Sequence, residues 1–496
     1  MPSMIQGEII ITTTGIRITP YKKGQSYYLE KSTSVRNYPY NNRNPVTGFL
    51  IPMGDEKNKG TFVTHLHDPN YIQEMFPNYI VKHEKPSEYK QLNYELAIND
   101  DVEPREVQYQ IIQGIIDTEK KDQWFVYLSQ GLGKTLLTVY MIPYFNTKTL
   151  IMCYNKTVLN QWLKTIEEKT NIRDKSVLMI DDSLLLHKIE AGEFPAWEYD
   201  VFTCTPSLLD KFGKKYGYNK LSNLMKRMGI GFKVFDEAHR NIKNIIKINA
   251  FTSVKRTLYL SGDFAQSDKI KEQLYYRIFH GVPVLTPTEE LMSTLKFTTA
   301  VVVMFNSHPT ELEKTSVYSR RGFSFYEYMK YELKKMQDSK LFEVLCFTLD
   351  NISKTNTKGY KILILVNLID HVDLLKDLLE EKYGKRYNVC RFHSQTPDSE
   401  KDYCLEYGDM IVSTYQSFSV GIDVSLIKYV ISCSICTKID DNQASGRSRP
   451  LPDGSDAFYF MLSDLGFPYT KKKLSGRLGY LQETKIKKIE RITYPD

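Results

Sequence analysis

The stretch Ser129-Gln130-Gly131-Leu132-Gly133-Lys134-Thr135 constrains this chain more than any other. An apolar run, 124–128, leads into it, and a helical pattern, 136–141, leaves it. Two glycines in so short a turn let backbone N–H groups close around an anion with no Cβ in the way. A helix starting at that point adds the positive end of its dipole. The lysine and hydroxyl residue that follow suit phosphate oxygens and a divalent cation. A strand, a Gly-rich loop and a helix in this order predict a parallel α/β architecture. The plainer alternative is a turn before a surface helix with an incidental lysine.

The surrounding pattern supports the α/β reading. Apolar runs at 124–128, 149–153, 200–204, 233–235 and 257–260 alternate with helical stretches such as 158–169. That alternation predicts one parallel sheet over residues 101–270. It returns over 359–465, with runs at 361–366, 388–392, 410–413, 428–433 and 457–461. Residues 271–358 read as a mixed connector. Residues 1–100, rich in Tyr, Asn, Pro and Thr, read as a small β-rich accessory domain. A basic extension, 466–496, closes the chain. At 496 residues, about three domains are expected.

Composition excludes several classes. Hydrophobic residues at 42% and charged residues at 25% rule out wholesale disorder. The longest purely apolar run, 300–305, is far too short to span a bilayer. The first residues lack the layout of a secretory signal, and seven scattered cysteines fit a reducing compartment, so a cytoplasmic protein is expected. The excess of Lys and Arg over Asp and Glu, 66 − 59 = 7, permits a polyanionic partner without demanding one.

A second chemical signal comes about 100 residues after the loop, in Lys233-Val234-Phe235-Asp236-Glu237-Ala238-His239. An apolar strand ending in two acids suits the other half of a phosphate-transfer site. Asp236 would hold Mg2+, and Glu237 would orient and deprotonate an attacking water. An Asp before a helix is also a common cap, so the pair gains its weight from following the loop.

With GLGKT at 131–135 and DEAH at 236–239, the chain resembles the superfamily 2 helicases, and further motifs of that family occur in order over about 104–450. Arg105, Gln108 and Gln110 lie in a stretch like the RxxQ element, whose glutamine reads the adenine edge. Residues 154–162, with Asn155, Lys156, Gln161 and Trp162, look like motif Ia, and Thr205-Pro206 like motif Ib; both would track a nucleic-acid backbone. Leu260-Ser261-Gly262-Asp263 stands where the family carries its coupling motif, with Asp263 in place of a hydroxyl residue. Residues 411–423, with Thr414, Gly421 and Asp423, look like motif V. Gln443-Ala444-Ser445-Gly446-Arg447-Ser448-Arg449 looks like motif VI with the shorter GRxR spacing.

The resemblance implies two tandem RecA-like domains with ATP and Mg2+ in the cleft between them. Gln130, Gly131, Leu132, Gly133, Lys134 and Thr135 would cradle the nucleotide, with Arg105, Gln108, Gly421 and Asp423 also in contact. Thr135 and Asp236 would hold the metal. Lys134, Asp236, Glu237, Arg447 and Arg449 would be catalytic, with Arg449 as the arginine finger. Asn155, Lys156, Thr205, Pro206 and Thr414 would grip nucleic acid, DNA more readily than RNA. Among subgroups the chain looks most like the DNA helicases of large phages and large DNA viruses, which would place it in a host cytoplasm. Replication, recombination or transcription machinery would be its partners. Two alternatives stand beside this reading: a nucleic-acid-binding factor with weak or regulatory ATPase, of the transcript-release type, and an RNA helicase.

The flanks add two expectations. Tyr27, Tyr28, Arg36, Tyr38, Tyr40 and Arg43 could stack bases, or fill a small β domain. Lys471, Lys472, Lys473, Arg477, Lys485, Lys487, Lys488 and Arg491 could contact phosphates, or form a solvated basic face. The lone Cys433-Ser434-Ile435-Cys436 reads as buried small residues, because a zinc site needs a second ligand pair.

Overall fold

The computed structural model describes residues 5–21, 24, 50–53, 60–65, 74, 76–128, 132–172, 176–262, 279, 281–294, 296–319, 322–334, 336, 339–418, 424, 426–436, 438–447, 451–482 and 486–495. The chain forms two compact units, Met1–Pro287 and Thr288–Asp496.

The first unit opens with a small sheet of β1 (Gly7–Ile11), β2 (Gly15–Pro20), β3 (Ile51–Pro52), β4 (Phe62–His65) and β5 (Tyr79–His83), in the order β3-β4-β2-β1-β5. Ile9, Ile11, Ile16 and Ile18 alternate along the β1–β2 hairpin and build its core. The main sheet is parallel throughout: β6 (Gln123–Tyr127), β7 (Thr149–Met152), β8 (Val177–Met179), β9 (Val201–Cys204), β10 (Phe232–Phe235), β11 (Arg256–Ser261) and β12 (Val284–Leu285), ordered β12-β6-β11-β10-β7-β9-β8. Helices α1 (Glu106–Asp117), α2 (Lys134–Phe145), α3 (Lys156–Lys169), α4 (Pro206–Tyr216) and α5 (Ile242–Phe251) connect the strands. Because the strands are parallel, every loop leaving a strand emerges on one edge of the sheet. The phosphate loop, the start of α3, the start of α4 and the acid pair therefore share that edge.

The N-terminal sheet is fused to this core rather than tethered to it. Thr12 Oγ1 and Arg17 Nη1 donate to the carbonyls of Asn249 and Ala250 on α5, at 2.8 and 2.9 Å. A Cβ at Gly15 would lie 2.6 Å from Ala250 N, so the backbones touch there. Lys233, fully buried on β10, donates to Thr14 Oγ1, Asn249 Oδ1 and Thr252 Oγ1. Tyr27, Tyr28, Arg36, Tyr38, Tyr40 and Arg43 lie outside the described residues.

The second unit is a seven-stranded parallel sheet of β13 (Thr298–Phe305), β16 (Lys361–Val366), β17 (Val389–Phe392), β18 (Met410–Thr414), β19 (Ile427–Ser432), β20 (Ala457–Asp464) and β21 (Ile486–Thr493), ordered β17-β18-β16-β19-β20-β13-β21. A short antiparallel pair, β14 (Tyr318–Ser319) and β15 (Gly322–Phe323), lies outside it. Helices α6 (Lys340–Thr355) and α7 (Ile369–Tyr383) cover one face. On β16, Ile362, Ile364 and Val366 meet them, while Leu363 and Leu365 face the other core. Burial on both faces explains why this strand reads as an unbroken apolar run.

Two expected boundaries are corrected here. Residues 298–305, assigned to a connector, are β13, paired on both sides with β20 and β21. Residues 466–496, assigned to an appended basic extension, form a helix, α10 (Pro468–Gln482), and the edge strand β21. Lysines 487 and 488 on that edge discourage pairing with another chain, and Lys487 meets Asp456 at 2.9 Å. Arg477 is buried on α10, not presented to solvent. Among the described residues, no helix is long and apolar enough to cross a membrane.

Candidate functional site

The phosphate loop leaves β6, and its first backbone amide, Leu128 N, donates to Ser261 O at the end of β11. Gln130 and Gly131 lie outside the described residues. Gly133 caps α2 with φ +83°, a left-handed conformation that favours glycine. A Cβ there would also fall 2.0 Å from Gln108 Nε2. Gln108 is buried against the loop. Its Nε2 donates to Gly133 O at 3.0 Å, and its Oε1 accepts from Arg105 N at 2.8 Å. The resemblance implied that this glutamine reads adenine. In this structure the two ends of its carboxamide join Gly133 of the phosphate loop to the cap of α1. Lys134 and Thr135 open the first turn of α2.

The acid pair leaves β10 beside the loop. Lys134 Nζ donates to Glu237 Oε1 at 2.8 Å, with both side chains 10% exposed. Burial raises the affinity of Glu237 for a proton, but Lys134, His239 and Arg240 outweigh it and hold the carboxyl down at about 2. Asp236 is pushed the other way, to about 6, first by burial and then by the charge of Glu237. Burial keeps His239 neutral, lowering it to about 4. Its Nδ1 lies 2.9 Å from Ser261 Oγ and 3.3 Å from Glu237 Oε2. Glu237 adopts φ +48°, left-handed for a residue with a side chain. Such strain costs on the order of 1–3 kcal/mol and persists only where the surroundings impose it. Here Glu237 N donates to Asp236 Oδ1, Ala238 N to Leu260 O and Arg240 N to Glu237 O.

Two contacts of this loop are not foreseeable from the sequence. Trp162 Nε1, from α3, donates to Asp236 Oδ2 at 3.0 Å. The guanidinium of Arg240 sits 5.2 Å from the ring centre of Tyr154, just before α3. In the sequence Gln161 and Trp162 read only as part of motif Ia; nothing in their spacing announces a partner 74 residues away.

The residues present fit a magnesium nucleotide. An amine and two carboxylates meet where a helix begins, and the hydroxyl residue Thr135 follows Lys134 in its first turn. Glu237 Oε2 is buried and accepts no hydrogen bond among the described residues. A buried acceptor left open beside a lysine is suited to a water molecule.

Three of the five expected nucleic-acid residues are helix caps. Asn155 Oδ1 accepts from Val158 N at the start of α3, and Thr205 Oγ1 from Leu208 N at the start of α4, with Pro206 in the first turn. Lys156 pairs with Asp181 at 2.9 Å in solvent. In the second unit, Thr414 Oγ1 accepts from Ser417 N and caps α8 (Tyr415–Phe418). Arg447 follows α9 (Lys438–Ser445) and is buried. Gly421, Asp423, Arg449 and Asp263 lie outside the described residues.

Two parallel α/β units, the first with a phosphate loop and an acid pair on one sheet edge, define a chain of two RecA-like domains. Residues 101–265 match the family model described as "Type III restriction enzyme, res subunit", and residues 340–449 match "Helicase conserved C-terminal domain". Together they indicate a superfamily 2 helicase. Among solved structures, S. cerevisiae Dbp5 bound to RNA and ADP BeF3 is similar in fold, with a TM-score of 0.53 and 14% identity, over 79% of this chain and 90% of that one. A single-substitution variant of Dbp5 in the same complex gives 0.50 and 13%, over 79% and 95%. No curated protein matches the chain.

Proposed function

We propose that this protein is an ATP-dependent helicase or translocase that moves along or unwinds nucleic acid. The observation that carries the reading is the 2.8 Å contact between Lys134 and Glu237, beside Asp236, on the sheet edge where α3 and α4 also begin. Mg2+-ATP, when bound, supplies the phosphoanhydride whose cleavage drives movement. Lys134 and the backbone of residues 130–133 bind the phosphates, and Thr135 and Asp236 hold the metal. Glu237, kept ionised by Lys134, orients the attacking water and takes its proton. Gln108, tied to both Gly133 and Arg105, and Arg105 itself are proposed to contact the nucleotide as well. By the family resemblance alone, Arg447 and Arg449 are proposed to neutralise charge on the transferred phosphoryl group, with Gly421 and Asp423 in contact with the nucleotide.

Asn155, Lys156, Thr205, Pro206 and Thr414 are proposed to grip the polymer. The placement of Asn155 and Thr205 at the starts of α3 and α4 supports this, because the N-termini of such helices favour phosphate. DNA is the proposed polymer, from the resemblance to the helicases of large phages and DNA viruses and from the restriction-enzyme model matched over 101–265. An RNA helicase is the second reading, favoured by the RNA bound in the Dbp5 structure.

ATP hydrolysis measured with single-stranded DNA, double-stranded DNA and RNA, alongside strand displacement, tests this. DNA-stimulated turnover is expected. Stimulation by RNA alone selects the second reading. Tight binding with no stimulation by any polymer indicates a binding factor and sinks the motor.

A further inference from the structure

Packing accounts for the apolar body of Trp162 but not for its N–H. The side chain is 1% exposed, and a phenylalanine or methionine would fill most of its volume. What only an indole adds is one N–H donor with no acceptor. That donor is aimed at Asp236 Oδ2 at 3.0 Å, while Asp236 Oδ1 accepts the backbone N–H of Glu237 at 2.9 Å. One donor on each oxygen fixes the plane of the carboxylate. Each oxygen keeps a further lone pair for a hydrated cation. The nearby amine of Lys134 is engaged with Glu237, so the direct hydrogen bonds to Asp236 come from neutral donors.

The donor also comes from a telling place. Trp162 rides on α3, whose first residues, Asn155 and Lys156, are proposed to hold the nucleic-acid backbone. A helix moves as a rigid rod, with about 1.5 Å of rise per residue. A shift at its cap is therefore carried to the indole, and a hydrogen bond weakens within a few tenths of an ångström. A second tie runs in parallel, with Arg240, next to His239, stacked on Tyr154 at the foot of α3. The element from β7 to α3 is thus fastened to the acid loop twice.

We propose that Trp162 is a positioning residue. Its indole N–H sets the aim of the Asp236 carboxylate and couples it to whatever occupies the start of α3. Nucleic acid bound at α3 then changes the affinity of the site for Mg2+-nucleotide, and nucleotide changes the affinity for nucleic acid by the same factor. This inference rests on the helicase reading of the same site.

The test is binding of a fluorescent ATP analogue to the full chain, in EDTA and across a Mg2+ series, with and without a single-stranded oligonucleotide. Trp162→Phe keeps the aromatic body and removes the donor. Its affinity for nucleotide in EDTA should equal that of wild type. Its Mg2+ midpoint should rise about tenfold, which corresponds to about 1.4 kcal/mol. The change in nucleotide affinity caused by the oligonucleotide should shrink towards none. A folded Trp162→Phe chain with the wild-type Mg2+ midpoint and wild-type coupling overturns the proposal. A wild-type chain that binds no nucleotide, or a Lys134→Ala chain that binds as wild type does, overturns the helicase site itself.

A second measurement needs no change at Trp162. The chain has three tryptophans, Trp124, Trp162 and Trp197. Fluorine NMR of the 5-fluorotryptophan protein gives one resonance for each, assigned by Trp124→Phe and Trp197→Phe. The Trp162 signal should shift on adding Mg2+-nucleotide, and also on adding oligonucleotide alone. A Trp162 signal unmoved by both refutes the coupling.

Discussion

Lys134 Nζ lies 2.8 Å from Glu237 Oε1, joining the phosphate loop to the acid pair across 103 residues of chain. The lysine that would meet phosphate is held by the carboxylate that would activate water. The lysine keeps Glu237 ionised in a buried site, where an unpaired ion is costly. Phosphate oxygens would compete for this amine and leave Glu237 free to face a water.

The pair predicts two different losses. Lys134→Ala removes the cation and should abolish both tight nucleotide binding and hydrolysis. It also strands the carboxylate, at a cost of about 3–5 kcal/mol in local stability. Glu237→Gln keeps the shape and the hydrogen bond to Lys134, so nucleotide still binds, while turnover should fall by about 10²–10⁴-fold. Equilibrium nucleotide binding and single-turnover hydrolysis on the two variants separate the roles. Wild-type turnover in either one refutes the assignment.

Gly133 makes a steric prediction. Its φ of +83° and the 2.0 Å approach of Gln108 Nε2 leave no room for a methyl group. Gly133→Ala should cost on the order of 1–2 kcal/mol from backbone conformation alone, and it must also push Gln108 off the Gly133 carbonyl. Nucleotide affinity should drop. Adding Gln108→Ala to Gly133→Ala should recover part of it, because the obstructing carboxamide is gone. If the double variant binds no better than the single one, the clash with Gln108 is not what limits the loop.

Most of this site is legible in the sequence because its chemistry is local. A phosphate loop needs glycine, lysine and a hydroxyl residue in a row, and a metal site needs acids at a strand end. The parallel sheets are legible too, since strands buried on both faces read as apolar runs. What stays hidden depends on partners far away in the chain. Residues 300–305 stand out as the longest apolar run, yet β13 is recognisable as a central strand only once β20 and β21 flank it. The lysines of β21 look like a phosphate-binding tail because an edge strand and a basic tail share a composition. The motif around Gln108 points to adenine, and only the fold shows its carboxamide joining Gly133 to Arg105 N.

Lys233 predicts a pH dependence of stability. It is fully buried on β10, and the hydrogen-bond partners of its amine, Thr14, Asn249 and Thr252, offer neutral oxygens. Burial lowers its pKa from 10.5 to about 7. Between those values the unfolded chain holds a proton that the folded chain has released. Stability therefore rises with pH across that window, by up to about 1.4 kcal/mol per unit, and its contribution is flat and lowest below about pH 7. Lys233→Met removes the titrating amine. Urea unfolding at pH 7, 8 and 9 should show the wild type gaining stability relative to the variant as pH rises. A constant difference between the two means that the amine stays charged throughout.

Arg477 carries the last prediction, and it separates the two readings of the C-terminal residues. Its Nε and Nη2 both donate to the Asp441 carboxylate at 2.6 Å. Asp441, on α9 just before Arg447, also accepts from Tyr459 OH at 2.6 Å. Arg477 Nη2 lies 3.1 Å from Ser432 Oγ at the end of β19. A planar fork on a buried carboxylate is something a lysine cannot reproduce. Arg477→Met, which leaves buried Asp441 without its cation, should destabilise the protein by about 3–5 kcal/mol. Arg477→Lys should recover only part of that loss. Replacing the exposed lysines 471–473 with alanine should change stability by no more than about 0.5 kcal/mol. Nucleic-acid affinity across a salt series completes the comparison. Removing one phosphate-binding cation from a protein surface lowers the slope of log K against log salt by about one. For Arg477→Met, which removes the charge, the slope should match wild type while the unfolding midpoint falls. A changed slope with an unchanged midpoint would return Arg477 to the phosphate-contacting surface that its place in a basic segment first suggests.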